Sequence, residues 1–303
     1  MKYFNKRSNS GFFGLSVFVL VFFTAAVFCG GSGYDFSFVF IHLQPEKNAV
    51  AGFNQAIDNV NRLNPDFIIT GGDLVMDALG QKFEKADQLY NLFIENSKNF
   101  KAPVYNTMGN HEVFGLYERS GIDPSHPEYA KKMFKNRLGN GKTYYSFDHK
   151  GWHFIILDSV GETEERRYYG WVGEEQFNWI KNDIQKLSKD TPVAVSTHIP
   201  FFTVMTQIER GSLEPNGRGG VINNSKEVYE LFKEHNLKLV LQGHLHAYED
   251  IYVNGVHFIT GGAVSSAWWD GPNNGLEEGF LHVKVNDGDF DTEYIDYGWE
   301  VKN

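Results

Sequence analysis

In the segment FIITGGD, residues 67–73, four residues typical of a buried strand run directly into two glycines and a carboxylate. This strand, together with the elements on either side of it, indicates the fold. Upstream of it, FSFVFI at 36–41 is apolar and rich in aromatic residues, which predicts a second buried strand. Helical periodicity predicts helices over 47–63 and 81–97, and VYNT at 104–107 predicts a third strand. Strands separated by helices at this spacing indicate crossover connections, and therefore a parallel sheet.

The second half of the chain continues the α/β pattern and ends in strands. The predicted elements are, in order, a hairpin at 143–148 and 152–158, a helix at 173–188, a strand at 193–197, a helix at 225–235, a strand at 238–242, and two hairpins at 251–260 and 281–295. Asn254-Gly255 and Asp287-Gly288 supply the tight turns of the last two hairpins. We therefore predict a single α/β domain over 36–303, with two sheets packed face to face and helices outside.

Five of the predicted strands end in residues of metal-binding type. These ends are His42; Gly71-Gly72-Asp73; Gly109-Asn110-His111-Glu112; His198; and Gly243-His244-Leu245-His246. The carboxyl ends of strands line the binding crevice of open α/β sheets, so the pattern brings these side chains to one sheet edge. Each motif alone is compatible with an ordinary turn or a surface pair, but their recurrence at successive strand ends favours a metal site. Imidazole, carboxylate and amide donors without thiolates suit Mn, Fe or Zn.

Two metal ions are expected at this edge, because a carboxylate between two histidine-rich clusters can bridge them. Two ions about 3.5–4 Å apart can clamp a phosphoryl oxygen and convert a bound water into hydroxide near neutral pH. His111 directly follows Asn110, so if the asparagine binds an ion, its neighbour points elsewhere in the loop. Two roles stay open for His111: it protonates the leaving alkoxide, which we favour, or it orients a metal ligand.

Residues 1–29 have the layout of an export signal or an N-terminal anchor. The basic residues of this leader are Lys2, Lys6 and Arg7. They are followed by an uncharged apolar run at 12–28. The run is also near the short limit of a membrane-spanning helix. Cys29 precedes a short tether at 30–35 and resembles a bacterial lipoprotein junction, although Phe28 stands where a small residue is expected. We expect export to the periplasm, the cell surface or the medium, with membrane attachment through Cys29 as one form of it.

Composition excludes several other classes of protein. The chain has 303 residues and a formal net charge of −10, which becomes −13 if the three basic residues of the leader are removed. A surface this acidic is a poor partner for phosphate backbones, so we expect no nucleic-acid binding. The single cysteine excludes an internal disulfide framework and a thiolate zinc cluster.

The strand ends together resemble those of the calcineurin-like metallophosphoesterases. The resemblance spans roughly 36–263 and is carried by the motifs GGD, GNHE, STH and GHLH. It implies a two-sheet αββα sandwich and two-metal hydrolysis of small-molecule phosphate mono- or diesters. It also implies individual roles, in which Asp73 bridges the ions, Asn110, His198 and His244 complete one metal site, His42 and His246 belong to the other, and His111 is the catalytic histidine.

The purple acid phosphatase branch of this family is similar in GNHE and in GHLHAYED at 243–250. That branch has a tyrosinate ligand three residues after the bridging carboxylate. This chain has Met76 at the position, so we expect no tyrosinate–iron colour.

The first family motif, Asp-X-His, is incomplete in this chain. The residue two before His42 is Phe40, and Asp35 lies seven residues upstream, about 23 Å away along an extended strand. The first metal site then retains His42, Asp73 and His246, and we expect it to be weak or empty. An alternative function therefore stays open, namely a catalytically impaired one-metal relative or a non-catalytic binding protein.

Three segments are predicted to border the crevice without identifying the substrate. Residues 161–170 and 205–220 are predicted surface loops, and Trp268-Trp269-Asp270 lies in a glycine-rich loop. That last loop either forms a wall that stacks on an aryl or nucleoside group or covers a sheet edge.

Overall fold

The computed structural model describes residues 34–45 and 49–301. In chain order its elements are β1 (Phe36–Ile41), α1 (Val50–Leu63), β2 (Phe67–Thr70), α2 (Phe83–Ser97), β3 (Val104–Tyr105), α3 (Lys132–Arg137), β4 (Tyr145–His149), β5 (Trp152–Ile156), β6 (Val160–Glu162), β7 (Tyr168–Gly170), α4 (Glu174–Ile184), β8 (Pro192–Thr197), α5 (Met205–Arg210), α6 (Ser225–Glu230), β9 (Asn236–Gln242), β10 (Tyr248–Val253), β11 (Val256–Gly261), β12 (Gly279–Asn286) and β13 (Asp289–Asp296).

These strands form two large mixed sheets and a small ribbon. One sheet has the order β13-β12-β1-β2-β3, in which β1, β2 and β3 are parallel and the other pairs are antiparallel. The other sheet has the order β10-β11-β9-β8-β5-β4, with β11, β9, β8 and β5 parallel. The ribbon consists of β6 and β7.

Alternation along β1 explains how the sheets pack. Phe36, Phe38 and Phe40 belong to a buried cluster shared with the second sheet. The rings of Phe38 and Phe154 contact each other edge to face, with centroids 5.4 Å apart, which is a favourable aromatic geometry. The intervening Val39 belongs instead to the cluster that contains the apolar face of α1. The predicted αββα sandwich is therefore confirmed.

Most of the predicted elements match the structure, with differences at their ends. The predicted strands at 36–41 and 67–70 coincide with β1 and β2. The predicted helix at 47–63 corresponds to α1, with 46–48 outside the described residues. The predicted strand at 104–107 shortens to the two residues of β3, because this edge strand pairs with β2 at only two positions.

Short elements occur in the two segments that were predicted to be surface loops. Residues 161–170 contribute to the β6–β7 ribbon, and 205–220 begins with α5. Runs of three to six residues are too short for a periodic pattern to be recognised.

The predicted leader and tether lie outside the described residues, apart from the last two tether positions. The leader, its Cys29 and the limits of the predicted domain therefore stay predictions. Among the helices in the described part of the chain, none combines the length and the apolar character needed to cross a membrane.

Parallel pairing places the carboxyl ends of the central strands of both sheets at one edge. Gly71 follows β2 and Gly243 follows β9, and a Cβ atom on Gly243 would lie only 2.3 Å from Gly71 O. A larger residue would not fit, so the glycine at this position allows the ends of the two sheets to meet. The predicted site residues lie where they meet.

Candidate metal centre

The structure brings the predicted ligands into two groups that share Asp73. The first group contains His42, Asp73 and His246, and the second contains Asp73, His198 and His244, with the donor atoms of each group within 4.8 Å of one another. Asn110 adjoins the second group, because its Oδ1 lies 2.9 Å from His198 Nε2. All the residues predicted to bind metal therefore lie together at the strand ends.

Asp73 presents one carboxylate oxygen to each group. Its Oδ1 lies 3.2 Å from His198 Nε2, and its Oδ2 lies 4.0 Å from His42 Nε2. The backbone N–H of His111 donates to Oδ1 at 3.1 Å and holds the carboxylate in place. Asp73 has a φ of +51°, a left-handed conformation that is uncommon outside glycine and is often found at functional sites. This geometry suits a carboxylate that bridges two ions.

Backbone carbonyl groups fix the tautomer of four histidines around Asp73. His42 Nδ1 donates to Gly72 O at 3.0 Å, His198 Nδ1 to Gly71 O at 2.8 Å, His246 Nδ1 to Ser266 O at 2.6 Å, and His111 Nδ1 to Met76 O. Because a carbonyl only accepts, each of these rings carries its proton on Nδ1. In the neutral rings of the candidate ligands His42, His198 and His246, the Nε2 lone pair is then free to bind an ion.

In the second group, two oxygen atoms face the lone pair of His198 Nε2 with no proton between them. His198 Nε2 lies 2.9 Å from Asn110 Oδ1, 3.2 Å from Asp73 Oδ1 and 3.1 Å from His244 Nδ1. His198 carries its proton on the opposite nitrogen, so its Nε2 is an acceptor as well. A cation between His198 Nε2 and the two oxygens would satisfy all three. The residues therefore fit a divalent ion, and the donor set suits Mn, Fe or Zn.

Burial keeps the imidazoles neutral, which is the form that binds metal. Desolvation lowers the pKa of His42, His198 and His246. Desolvation and the neighbouring His198 lower the pKa of His244 to about 3. Burial opposes the charge of Asp73, but interactions with the surrounding imidazoles outweigh it and hold the pKa of this carboxyl below its usual range. At neutral pH the centre thus presents neutral imidazoles and an ionised carboxylate.

The first group contains fewer donors of the predicted types. His42 Nε2 is buried and finds no hydrogen-bond partner within residues 34–45 and 49–301. The ring of His246 lies 4.9 Å away between centroids. Phe40, at the position of the missing family aspartate, is fully buried between the sheets and offers no donor. An ion would fit here, but with fewer ligands than in the second group.

Glu112 connects the loops of the centre, as its place in the GNHE motif allows. Its buried carboxylate accepts the N–H of Val75 at 3.0 Å, of Asp73 at 3.1 Å and of Gly109 at 2.6 Å. Burial, together with repulsion from Asp73, raises the pKa of Glu112. The GNHE motif is the available signal, but burial of its glutamate depends on α2, where the Tyr90 hydroxyl donates to Glu112 O.

Gly109 lets these loops approach closely. A Cβ atom at this position would lie 2.3 Å from Asp73 Oδ1 and 2.4 Å from Asp73 N. Any side chain would therefore displace the Asp73 carboxylate.

The loop that contains Trp268, Trp269 and Asp270 lies directly beside the first group. Trp269 is buried and donates its Nε1–H to Gln44 O at 3.0 Å. Trp268 is 52% exposed, and its ring centroid lies 5.1 Å from that of His246. Trp269 therefore anchors the loop to the fold, and Trp268 lies exposed next to a candidate ligand. A cavity of about 240 Å³ is lined in part by His244.

Known proteins share this sequence pattern and this fold. The family model of the calcineurin-like phosphoesterases matches residues 41–248. A probable cyclic nucleotide phosphodiesterase of Xenorhabdus bovienii (strain SS-2004) is 22% identical over 256 residues, covering 83% of this chain and 87% of that relative. Purple acid phosphatase 15 of Arabidopsis thaliana is 28% identical over 160 residues, covering 52% of this chain but 26% of that relative. This chain therefore matches about a quarter of the length of the plant enzyme.

A solved structure supports the same fold. A dimetal phosphatase from Danio rerio superimposes with a TM-score of 0.62 at 13% identity, covering 88% of this chain and 97% of that one. The matched range 41–248 covers more than half of the chain and includes every predicted site residue. The chain belongs to the calcineurin-like phosphoesterase family, whose members are hydrolases acting on phosphate esters.

Proposed function

We propose that this protein is an exported, metal-dependent phosphoesterase that hydrolyses small-molecule phosphate esters at the centre around Asp73. One observation carries the proposal, namely that the lone pair of His198 Nε2 faces two acceptor oxygens, Asn110 Oδ1 at 2.9 Å and Asp73 Oδ1 at 3.2 Å. A proton on His244 Nδ1 accounts for the contact between the two histidines, but no proton lies between His198 Nε2 and the two oxygens, because the His198 proton lies on its other nitrogen. A bound cation accounts for this arrangement of acceptors.

The chain offers ligands for two ions, one on each side of the bridging carboxylate. Asn110, His198, His244 and Asp73 would hold one ion, and His42, His246 and Asp73 would hold the other. When bound, two such ions polarise a phosphoryl oxygen and activate a water near neutral pH. Mn, Fe and Zn suit these donors.

His111 is placed to give a proton to the leaving oxygen of the substrate. Its Nδ1 is held by Met76 O, and its Nε2 lies 4.0 Å from Asp73 Oδ2 with the side chain 23% exposed. In the proposed reaction, a water oxygen bonds to phosphorus and the bond from phosphorus to the leaving oxygen breaks. The leaving oxygen then takes the proton from Nε2 of protonated His111. Its position at the open side of the centre supports this role over that of orienting a ligand.

A phosphodiester is the substrate class that we favour. The relative that is matched over 87% of its length is a probable cyclic nucleotide phosphodiesterase, whereas the plant purple acid phosphatase is matched over 26%. Met76 stands in place of the tyrosinate ligand of that branch, and its carbonyl group holds His111 instead. Trp268, exposed beside His246, suits a flat group such as a nucleobase.

The test is hydrolysis of aryl phosphate mono- and diesters by the full chain, with Mn²⁺ or Zn²⁺ and again with a chelator. We expect turnover that the chelator abolishes and added ion restores, with the diester hydrolysed faster. A folded protein that hydrolyses neither ester with any ion would contradict the proposal. That result would favour the second candidate, a non-catalytic or one-metal binding relative, which the phenylalanine at position 40 supports.

We also propose that residues 1–29 direct export and that Cys29 receives a lipid anchor. The proposal rests on the basic start, the uncharged run and the single cysteine before a glycine-rich tether. Mass spectrometry of the mature protein tests it, with an acylated Cys29 expected at the N-terminus. A mature chain that begins after position 29 would contradict the anchor, and an uncleaved cytosolic chain would contradict export.

A further inference from the structure

Gln44 lies at the centre although the sequence did not mark it as a site residue. It follows His42 by two positions, and its side chain is 1% exposed. Its backbone N–H donates to Asp73 O at 2.5 Å, and its carbonyl oxygen accepts the Trp269 indole N–H at 3.0 Å. Its φ of +62° is unusual for a residue other than glycine. The backbone is thus held in an uncommon conformation from both sides, one of which is the bridging residue itself.

The side-chain amide of Gln44 has one partner and one unused atom. Its Nε2 lies 3.2 Å from His111 Nδ1 and 3.3 Å from His111 Nε2, the ring nitrogen that lies 4.0 Å from Asp73 Oδ2. Its Oε1 is buried and makes no hydrogen bond to any described residue. The same is true of His42 Nε2, two residues away, within the part of the chain that the structure describes. Two buried acceptors without donors therefore follow one strand, and the Gln44 amide adjoins His111, whose Nε2 lies 4.0 Å from Asp73 Oδ2.

Neutral acceptors that lack a donor are costly to bury, and a cation is the partner that satisfies both. An amide oxygen is an acceptable ligand for the ions that imidazole and carboxylate bind. The first group lacks one oxygen donor, because Phe40 points into the core between the sheets. Gln44 supplies an oxygen of the required kind on the opposite side of His42 in the sequence.

We propose that Gln44 Oε1 is the additional ligand of the first metal site, in place of the carboxylate that is missing before His42. The assignment rests on the proposed dimetal function and makes the first site a four-donor site. The Oε1 atom of Gln44 would then bind the ion, while Nε2 of the same amide contacts His111.

The experiment measures metal binding rather than turnover. The full chain, a Gln44→Leu variant and a Gln44→Glu variant are stripped with chelator, titrated with Mn²⁺ by calorimetry, and analysed for bound manganese after dialysis. Gln176→Leu is the matched control, because Gln176 is also a buried glutamine, bonded to the backbone of Asp158 on another part of the fold. Circular dichroism checks that every variant is folded.

We expect the wild type and the Gln176→Leu control to bind two ions per chain. Gln44→Leu should keep the tighter ion and bind the other at least about tenfold more weakly. Gln44→Glu should keep both, because its carboxylate replaces the amide oxygen. A leucine variant that binds both ions with wild-type affinity overturns the assignment of Gln44 alone, even if its activity falls through His111. A wild type that binds no ion overturns the dimetal proposal together with this assignment.

Discussion

Replacement of Glu112 by alanine should destabilise the metal-free protein by about 3 kcal/mol. The change leaves the buried N–H groups of Asp73, Val75 and Gly109 without their carboxylate acceptor. Each unpaired buried donor costs about 1–3 kcal/mol, so three of them set an upper range of about 3–9 kcal/mol. Water that enters the vacated space and removal of a buried charge offset part of that cost. The remainder is a large fraction of the about 5–15 kcal/mol that is typical of a domain.

Urea unfolding in the presence of chelator measures this effect, with the midpoint followed by circular dichroism. Glu118→Ala is the control, because Glu118 is exposed and such surface changes stay within about 0.5 kcal/mol. The same Glu112→Ala variant should bind Mn²⁺ more weakly, since the loop that carries Asp73 loses its support. A variant as stable as the Glu118 control would refute the reasoning that Glu112 connects the two loops.

Three further outcomes are expected from the geometry of the centre. His111→Asn should keep both bound ions and lower kcat by about 10²–10⁴-fold, because the proton donor to the leaving oxygen is lost. Unchanged steady-state kinetics with Mn²⁺ would exclude this role for His111. Gly109→Ala should weaken Mn²⁺ binding at least about tenfold in calorimetry, because its Cβ would lie 2.3 Å from Asp73 Oδ1. Unchanged binding would contradict this prediction and would mean that the loop moves to make room for the methyl group. Without metal, the free energy of unfolding should be highest above pH 6.5 and should fall as the pH drops. The reason is that histidines of the unfolded chain then bind protons, whereas the buried imidazoles of the folded protein do not. Each such histidine contributes about 1.4 kcal/mol per pH unit. Urea unfolding with chelator at pH 7, 6 and 5 measures this dependence. His244→Asn removes a group whose pKa burial lowers to about 3, so it should reduce the slope of the unfolding free energy against pH by about the contribution of one histidine. Equal slopes for the variant and the wild type would contradict the assignment.

The sequence was informative where a residue's environment follows from its own neighbours in the chain. The run at 36–41 is buried on both faces of its sheet, so a continuous apolar pattern was sufficient to predict β1. The Asn254-Gly255 turn was equally predictable, because both of its residues adopt positive φ in the structure. The ligands were predictable as a set because strand ends of parallel sheets share an edge.

Residues whose roles depend on distant partners were not predictable in this way. Gln44 reaches His111, which is 67 positions away, and nothing in the local sequence around either residue indicates the contact. Glu112 supports Asp73 across 39 positions, and its burial depends on packing from α2. The incomplete first motif directed attention upstream of His42, whereas the oxygen donor lies downstream of it.

Anomalous diffraction from crystals of the full chain soaked in Mn²⁺ would locate ions bound at the centre around Asp73. We expect two manganese peaks on opposite sides of the Asp73 carboxylate. One should be bound by Oδ1 with Asn110, His198 and His244, and the other by Oδ2 with His42 and His246. Peaks only at surface carboxylates, or none near Asp73, would contradict the dimetal centre from which the proposed function is derived.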